Sequence, residues 1–310
     1  MPYVADLHLH SSFAYATSKH ITLESLAGWA KVKGIDLLAS ADFTHPVWLR
    51  ELRAKLAEDV PGLYRFGEVH FVLGTEVSCV FQQNGRSRRV HLLLLAPDFD
   101  TVDRINGALA NHGNLQSDGR PTLRLSARDL TELALEINPN CMVIPAHVWT
   151  PWYGLLGSKS GFDALEECFL DLAPHIHAVE TGLSSDPAMN WAIPGLEGKT
   201  IVSFSDAHSA PKLGRELTAF EGDLSYPGLT GALANQGVAY SVEFYPEEGK
   251  YHWSGHRKCA VRQSPQETAD RGTRCPECHR PLTLGVLHRV SGYAGARCAT
   301  PRGRGRLHPF

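Results

Sequence analysis

The sequence lacks any apolar run that approaches the roughly 20 residues a membrane-spanning helix needs. Its longest apolar stretch, "VHLLLLAP", has the length of a buried strand. The opening residues "MPYVADLHLH" also lack the basic segment and apolar core that are typical of a signal peptide. We therefore expect a protein without membrane segments that works in the cytoplasm.

Three other classes of protein are excluded by what is missing. The chain has seven cysteines, an odd number for a disulfide framework, and Cys79, Cys141 and Cys168 stand alone in apolar segments as buried thiols do. No internal repeat is present. The stretch "GLEGKT" at 195–200 is not a phosphate-binding loop, because two residues rather than four separate its glycines.

A length of 310 residues with 43% hydrophobic content suits one large domain and a small second one. Apolar strand-like runs alternate with helical patterns, which predicts an α/β fold built as a barrel or a doubly wound sheet. Strands are expected at 3–10, 36–42, 70–80, 89–96, 141–147, 176–182 and 200–205. Helices are expected at 22–33, 46–58, 101–111, 126–137 and 161–170, the fourth capped by Ser126.

The net charge of -3 conceals an uneven distribution along the chain. Residues 250–310 carry twelve Lys or Arg and three acidic residues, a balance of +9, so residues 1–249 carry -12. The composition becomes polar and turn-rich near 245–250, which predicts a domain boundary there. A basic C-terminal part on an acidic body indicates binding to a polyanion such as DNA.

Two histidines, His8 and His10, follow the first apolar run in "VADLHLHSS". Alternate side chains of a strand point the same way, so the two imidazoles are expected to project together. Neutral imidazole is the commonest metal ligand among side chains, and two on one face make half of a site. This pair predicts a metal site, to which other strands must contribute the remaining ligands.

Further histidines and acidic residues follow most of the other strand candidates. Parallel α/β folds gather their active-site groups at the carboxyl ends of strands, so these side chains are expected to converge. A mixture of imidazoles and carboxylates suits Zn²⁺, Mn²⁺, Fe or Mg²⁺, and shared carboxylates allow two or three ions in one pocket. With His8 and His10, the candidate metal ligands and catalytic residues are Asp42, His45, Glu76, His91, His147, Asp206 and His208.

A second metal site is predicted in the basic C-terminal region. His256 and Cys259 in "HRKC" and Cys275 and Cys278 in "CPEC" form two pairs with the spacing of a structural zinc site. Either His252 or His279 could replace His256 as the fourth ligand. A redox function for the "CPEC" motif is the alternative, which the turn-rich basic setting disfavours. The surrounding Lys and Arg side chains could bind phosphates.

Aromatic and polar residues near His147 are candidates for contact with a substrate. Trp149, Trp152 and Tyr153 follow this histidine and could stack on an extruded base, although loop aromatics also pack lids. Ser184 and Asn190, in and after "TGLSSDP", could read the edge of a base.

The set of ligand motifs resembles the PHP (polymerase and histidinol phosphatase) family. The resemblance implies a distorted (β/α)7 barrel whose three metals hydrolyse phosphoesters, followed here by the zinc-binding module. It also implies one site of His8, His10, Glu76 and Asp206, and a second that shares Glu76 and adds His91 and His147. A third would combine Asp42 or His45 with His208. The chain departs from the family pattern at Phe43, where a histidine is usual, and near Ala16, where another histidine is missing.

Longer stretches are similar to the endonuclease Q branch of that family over about residues 3–290. They are "HSSFAYATSKHITLESL", "ADFTHPVW", "GNLQSDGRPTL", "PAHVWTPWYGLLGSKSGF" and "CPECHRPLTLGVLHRV". This resemblance implies a barrel at 1–245, a zinc-binding module at 246–290 and DNA as the partner. It implies a repair endonuclease that cuts 5′ to deaminated bases (hypoxanthine, uracil, xanthine) or abasic sites. Because the family continues beyond the zinc motif, we expect a shortened chain with a disordered basic tail at 291–310.

Two other functions use the same residues. A small-molecule phosphatase, such as one acting on histidinol phosphate, would need the barrel ligands but would give no task to the zinc-binding module. A non-catalytic DNA-binding module would need the basic region but not a nearly complete ligand set. Protein partners are not predicted by any feature of the sequence.

Overall fold

The computed structural model of the chain describes residues 2–294, in which strands and helices alternate as the apolar patterns predict. The helices α1 to α9 are, in order, Leu23–Lys33, Pro46–Lys55, Phe99–Leu109, Ala127–Ile137, Leu165–Phe169, Pro187–Trp191, Tyr226–Ala234, Pro265–Arg271 and Val286–Ala294. The strands β1 to β14 are Tyr3–Asp6, Leu37–Ala39, Ala57–Val60, Leu63–Phe66, Val69–Gln83, Arg86–Ala96, Thr122–Leu123, Met142–Pro145, Ala178–Glu180, Thr200–Val202, Leu217–Phe220, Val238–Val242, Ser254–His256 and Val261–Gln263.

The main sheet has the strand order β12-β11-β1-β2-β5-β4-β3, and β6, β7 and β8 extend it from β5. β1, β2 and β5 are parallel, whereas β6 runs antiparallel to both β5 and β8. β9 and β10 form a separate parallel pair. The mixed α/β class predicted from the sequence is confirmed, whereas the antiparallel pairing of β6 was not predicted.

Hydrogen bonds at two junctions close the strands into a ring. The Val148 amide, just beyond β8, donates to the Glu180 carbonyl of β9 at 3.0 Å. Beyond β10, the Ser203 amide donates to the hydroxyl of Thr218 in β11 at 3.0 Å. Strand ends that are far apart in the sequence therefore face one space at the carboxyl edge of the sheet.

The core lies between the sheet and the helices that cover it. The four leucines Leu92–Leu95 of β6 are buried on both faces of the strand, as expected of a strand covered on both sides. Helix α3 buries Val102, Ile105 and Leu109 at helical spacing. The predicted cap of α4 is confirmed, because the Ser126 side chain accepts a hydrogen bond from the Asp129 amide.

The predicted helices and strands are confirmed in type, and most differences are at their ends. The first strand ends at Asp6 rather than at residue 10, so His8 and His10 lie in the connection after it. β5 extends to Gln83, because it pairs with β6 along a long antiparallel ladder. The hairpin of β3 and β4 was not predicted from the sequence.

The C-terminal region packs directly on the barrel. Val286 and Val290 of α9 are buried in the main hydrophobic core. Helix α9 continues to Ala294. The prediction of a disordered tail from residue 291 is therefore wrong for residues 291–294. The remainder of that tail, residues 295–310, lies outside the described residues. The predicted boundary near 245 stays a prediction.

No helix in the described part of the chain is long and apolar enough to cross a bilayer.

Trp48 provides a test of the packing that supports the site. Its indole N–H donates to the carbonyls of Ser40 and Ala41, at 2.9 and 3.1 Å, and its side chain is buried. Trp48→Phe should lower the free energy of unfolding by about 1–3 kcal/mol, since it leaves buried carbonyls without a donor. Urea unfolding measures this change. The same change at the more exposed Trp29 should stay within about 0.5 kcal/mol, and equal losses at both positions would contradict the prediction.

Candidate metal centre

Glu76 of β5 lies at the centre of the candidate site. Its side chain is buried, and its two carboxylate oxygens face different sets of ligands. Burial opposes its ionisation, but the His91 and His8 imidazoles and the Arg120 guanidinium outweigh this and hold its pKa well below the usual range. The carboxylate is therefore charged, and each of its two oxygens faces one set of ligands.

The first ligand group surrounds Oε2 of Glu76. Nε2 of His10 lies 3.2 Å from this oxygen and 3.2 Å from Oδ1 of Asp206. Nε2 of His8 lies 3.4 and 3.5 Å from the same two oxygens. All four ligand atoms lie within 4.8 Å of one another, so a single ion could contact each of them.

The second ligand group surrounds Oε1 of Glu76. Nδ1 of His91 lies 2.7 Å from this oxygen, and Nε2 of His147 lies 3.1 Å from it. The two imidazole nitrogens are 3.2 Å apart. Burial lowers the pKa of His91 to about 4, although the neighbouring Glu76 carboxylate opposes this shift. The structure thus brings together two ligand groups that share one carboxylate.

The residues predicted for a third group make contacts of their own. Asp42 instead accepts hydrogen bonds from the amide and hydroxyl of Ser11 and lies 3.2 Å from Nδ1 of His10. The ring of His45 stacks on Phe13, with ring centroids 4.3 Å apart. His208 packs edge-on against His10. The third metal group therefore stays a prediction, and Asp42 is bound to Ser11 and orients His10.

Two residues outside the predicted set hold the ligands in place. Both oxygens of Glu180 lie 2.9 Å from Nδ1 of His8, and Oε2 also accepts the His147 amide at 2.7 Å. Burial opposes protonation of His8, yet Glu180, Glu76 and Asp206 together raise its pKa well above the ordinary value. Glu180 is the last residue of β9 and lies near the end of the strand candidate 176–182, so the strand-end pattern could have identified it.

Arg120 is the second residue that the sequence reasoning missed. Its Nη1 donates to Oε2 of Glu76 at 3.0 Å, and its amide is fixed by Oδ1 of Asp118. Its side chain keeps 19% exposure, so it borders the opening of the site. It lies in "SDGRP", a turn sequence without the apolar strand that marked the other candidates.

The backbone is strained where it presents three of the candidate side chains. Asp42, His147 and Asp206 have φ of 33°, 30° and 45°, a region that residues with a Cβ rarely adopt. Gly182 permits one of these turns, since a Cβ there would lie 2.6 Å from Cβ of His147. Strain of this kind concentrates at functional sites, where the surrounding structure compensates for it.

The four predicted zinc ligands also come together. His256, Cys259, Cys275 and Cys278 form one group, with Nδ1 of His256 3.3 Å from Sγ of Cys278. Burial opposes ionisation of Cys275, but the backbone amides of Cys278 and Glu277 outweigh it and lower the pKa of this thiol to about 7. The alternative fourth ligand His252 is buried elsewhere, with Nδ1 3.1 Å from the Ser184 carbonyl.

The predicted substrate contacts divide into exposed and buried side chains. Trp152 is 42% exposed, and Tyr153 packs against His91 with ring centroids 4.3 Å apart. Trp149 is buried, and its indole N–H donates to Oδ1 of the buried Asn190 at 2.8 Å. Ser184 is buried against the C-terminal region. For Trp149, Asn190 and Ser184 the predicted substrate contact is corrected, because each side chain is enclosed.

Known proteins with this arrangement were found among solved structures. No family model matches the chain. The lesion-specific endonuclease Q of Pyrococcus furiosus superposes with a TM-score of 0.86 at 30% identity, covering 100% of this chain and 76% of that one. Endonuclease Q bound to a 27-mer duplex with an abasic lesion at its active site superposes with a TM-score of 0.87 at 30% identity, covering 99% and 75%.

Two curated relatives are uncharacterised. The protein YqxK of Bacillus subtilis is 27% identical over 324 residues, covering 96% of this chain and 79% of that protein. A protein of Methanocaldococcus jannaschii is 26% identical over 147 residues, covering 47% of this chain and 16% of that protein. The chain thus spans less than a fifth of the archaeal relative and about three quarters of the solved endonucleases.

The ring of strands and the two ligand groups that share Glu76 place the chain in the class of α/β barrels with a candidate metal centre. The superpositions assign a family within this class, because the two endonuclease Q structures match this chain in sequence and in fold over nearly its whole length. The chain belongs to the endonuclease Q family. The family and fold class predicted from the sequence are confirmed.

Glu180→Gln tests how the ligands are oriented. Removal of this carboxylate charge should lower the pKa of His8 in the metal-free protein, because Glu180 stabilises the protonated ring. Titration of the His8 ring nitrogens by NMR measures the change. Glu221→Gln, on an exposed side chain, should leave the His8 pKa unchanged, and an unchanged value in Glu180→Gln itself would contradict the assignment.

Proposed function

We propose that this chain is a metal-dependent, lesion-specific DNA repair endonuclease. The observation that carries the proposal is the pair of ligand groups sharing Glu76 in a chain of the endonuclease Q family. One family member has been seen with duplex DNA and an abasic lesion at its active site. The proposed reaction is hydrolysis of the phosphodiester 5′ to a deaminated base or an abasic site. Since chromosomal DNA is the substrate, the proposal includes a cytoplasmic location.

The residues present fit divalent metal ions. Among the residues that the structure describes, no hydrogen bond satisfies the buried atoms Nε2 of His8, Nε2 of His10 and Oδ1 of Asp206, and the two nitrogens lie 3.5 and 3.2 Å from that oxygen. Unpaired buried polar atoms are costly, so a bound cation accounts for their arrangement. The two groups suit two ions, among which Zn²⁺, Mn²⁺, Fe and Mg²⁺ remain compatible with nitrogen and oxygen ligands.

Divalent ions in these groups would supply Lewis acidity at the phosphodiester and lower the pKa of an attacking water. The protein's own contribution is to fix the ligands before the substrate arrives. Glu180 and Asp42 hold the rings of His8 and His10 in one orientation. Arg120 places a permanent positive charge beside Glu76, where it can stabilise negative charge that develops on the phosphate.

The zinc-binding module is proposed to hold one structural Zn²⁺. Four protein ligands leave no open position, which is typical of structural rather than catalytic zinc. Exposed basic side chains surround the ligands and are suited to contact DNA phosphates: Lys250, Arg257, Lys258 and Arg262. The module would thus position the duplex while the barrel cuts it.

Selection of a lesion is proposed to involve Trp152. This side chain is exposed next to the candidate site and packs edge-on against Tyr251, with ring centroids 6.2 Å apart. An aromatic ring held in this way offers a face on which an extruded base can stack. Deaminated, mispaired bases leave the duplex at lower cost, which favours them over normal bases.

Glu76→Gln tests the shared carboxylate. The change keeps the size of the side chain but removes the charge that both ligand groups require, so both barrel ions should be lost. Elemental analysis should show zinc near one ion per chain, held by the C-terminal module, and no other bound metal. Nicking of lesion DNA should fall by at least about 10³-fold. Retention of the barrel metals would contradict the shared-ligand assignment.

Incision of labelled duplexes tests the function as a whole. We expect cutting 5′ to hypoxanthine, uracil, xanthine or an abasic site, with undamaged duplex cut far more slowly. Trp152→Ala should reduce incision at a base lesion more than it reduces binding to undamaged duplex, because base contacts specify whereas phosphate contacts position. Trp29→Ala, a partly exposed tryptophan of α1, is the matched control.

The alternatives predict different outcomes of the same assay. Faster turnover of a small phosphate monoester than of any DNA would favour the small-molecule phosphatase. DNA binding without cutting, in protein that carries its metals, would favour a non-catalytic binding module.

A further inference from the structure

The segment between β8 and α5, residues 146–164, contacts both histidines of the second ligand group. We call this segment the ligand loop. It carries His147, whose Nδ1 lies 2.9 Å from the Thr150 hydroxyl. The Tyr153 carbonyl of this loop accepts the His91 amide at 2.8 Å, and the two rings pack together. The position of His147 and the packing of the His91 ring therefore depend on the conformation of this loop, whereas the sheet holds the His91 backbone.

The ligand loop has little regular structure of its own. It consists mainly of turns and contains Gly154, Gly157 and Gly161, so ordering it costs more backbone entropy than ordering a helix of equal length. Tyr153 also has a φ of 68°, a strained value for a residue with a Cβ. Contacts from outside the loop are needed to hold this conformation.

Arg289 of α9 supplies several of those contacts. Its Nε donates to the Leu156 carbonyl at 3.2 Å, and Nη2 donates to the Phe162 carbonyl at 3.1 Å. Nη2 also pairs with Oδ1 of Asp163 at 2.9 Å. One guanidinium thus joins positions six and seven residues apart in the ligand loop, which fixes its closed shape.

The zinc-binding module adds two contacts to those that β6 makes with the loop through Arg88 and Arg89. Ser158 donates to the Leu284 carbonyl at 3.0 Å, and Nζ of Lys159 donates to the Leu282 carbonyl at 3.2 Å. Residues 282–284 begin four positions after Cys278, and Thr283 exchanges two backbone hydrogen bonds with Gly255, each 2.9 Å long. Because Gly255 precedes the ligand His256, a bound zinc would fix the segment that the loop contacts.

We propose that the zinc-binding module braces the ligand loop and that Arg289 is a positioning residue for the His91–His147 half of the metal centre. The inference rests on the proposed function, since it concerns the second of the two barrel ions. It gives the C-terminal module a second task besides DNA contact: its order sets the affinity of the barrel for metal.

Arg289→Met tests this by keeping the aliphatic stem and removing every donor. Arg271→Met is the matched control, because Arg271 lies in the same module but is exposed and pairs with Glu267 of its own helix. Purified protein is dialysed against a weak chelator that leaves one zinc per chain, and Mn²⁺ uptake is followed by electron paramagnetic resonance. The unfolding temperature of each variant is recorded.

Wild type and Arg271→Met should bind two Mn²⁺ per chain, with the spectrum of a coupled pair. Arg289→Met should bind one Mn²⁺ with unchanged affinity and the second about 10- to 100-fold more weakly, as is usual when a supporting residue of a metal site is removed. Arg289→Lys should be intermediate. A second variant, Ser158→Ala with Lys159→Met, removes contacts from the loop side and should give the same selective loss if Arg289→Met fails to fold.

Equal binding of both ions by Arg289→Met and wild type, with the zinc in place, would overturn the inference and leave the proposed function intact. Equal weakening in Arg271→Met would also overturn it. Failure of the wild-type barrel to take up any Mn²⁺, Zn²⁺ or Fe²⁺ would instead count against the proposed function.

Discussion

The structure depends on a single buried carboxylate, that of Glu76, which is kept ionised in the interior. Burying an isolated charge costs several kcal/mol, so it must be compensated by partners with fixed positions. The sheet provides them, because β5 pairs with β2, β4, β6 and β7 and so has strands on both sides. β5 therefore fixes the position of Glu76 more firmly than a strand with two neighbours would. The ligands of both groups are arranged around this carboxylate.

The positions of the principal ligands were predictable from the sequence for a general reason. Side chains that follow buried strands converge at one edge of an α/β fold, so a histidine or acid there meets others like it. His8, His10, His147 and Asp206 follow strands in this way, whereas Glu76 and His91 lie within β5 and β6, and the structure brings all six together. The zinc ligands were predictable from their spacing, because two short pairs of Cys or His residues on separate turns are typical of a structural zinc site.

The remaining features depend on contacts that no local pattern encodes. Asp42 follows a strand as the ligands do, but its neighbours Ser11 and His10 occupy its oxygens, which converts an expected ligand into an orienting group. Arg120 reaches Glu76 from a turn, where no apolar periodicity marks it. Trp149 resembles its exposed neighbour Trp152 in sequence, yet it is enclosed by Asn190. In each case the partner is distant in the chain.

The positive φ angles at Asp42, His147 and Asp206 have a consequence for how such a protein evolves. Glycine adopts these angles without steric cost, so replacing any of the three by glycine would relieve backbone strain. Selection for thermal stability alone would therefore erode these positions, while selection for catalysis retains them. In a variant that became more thermostable and lost its activity, we expect substitutions at these three positions. At each of them, backbone stability and catalysis favour different residues.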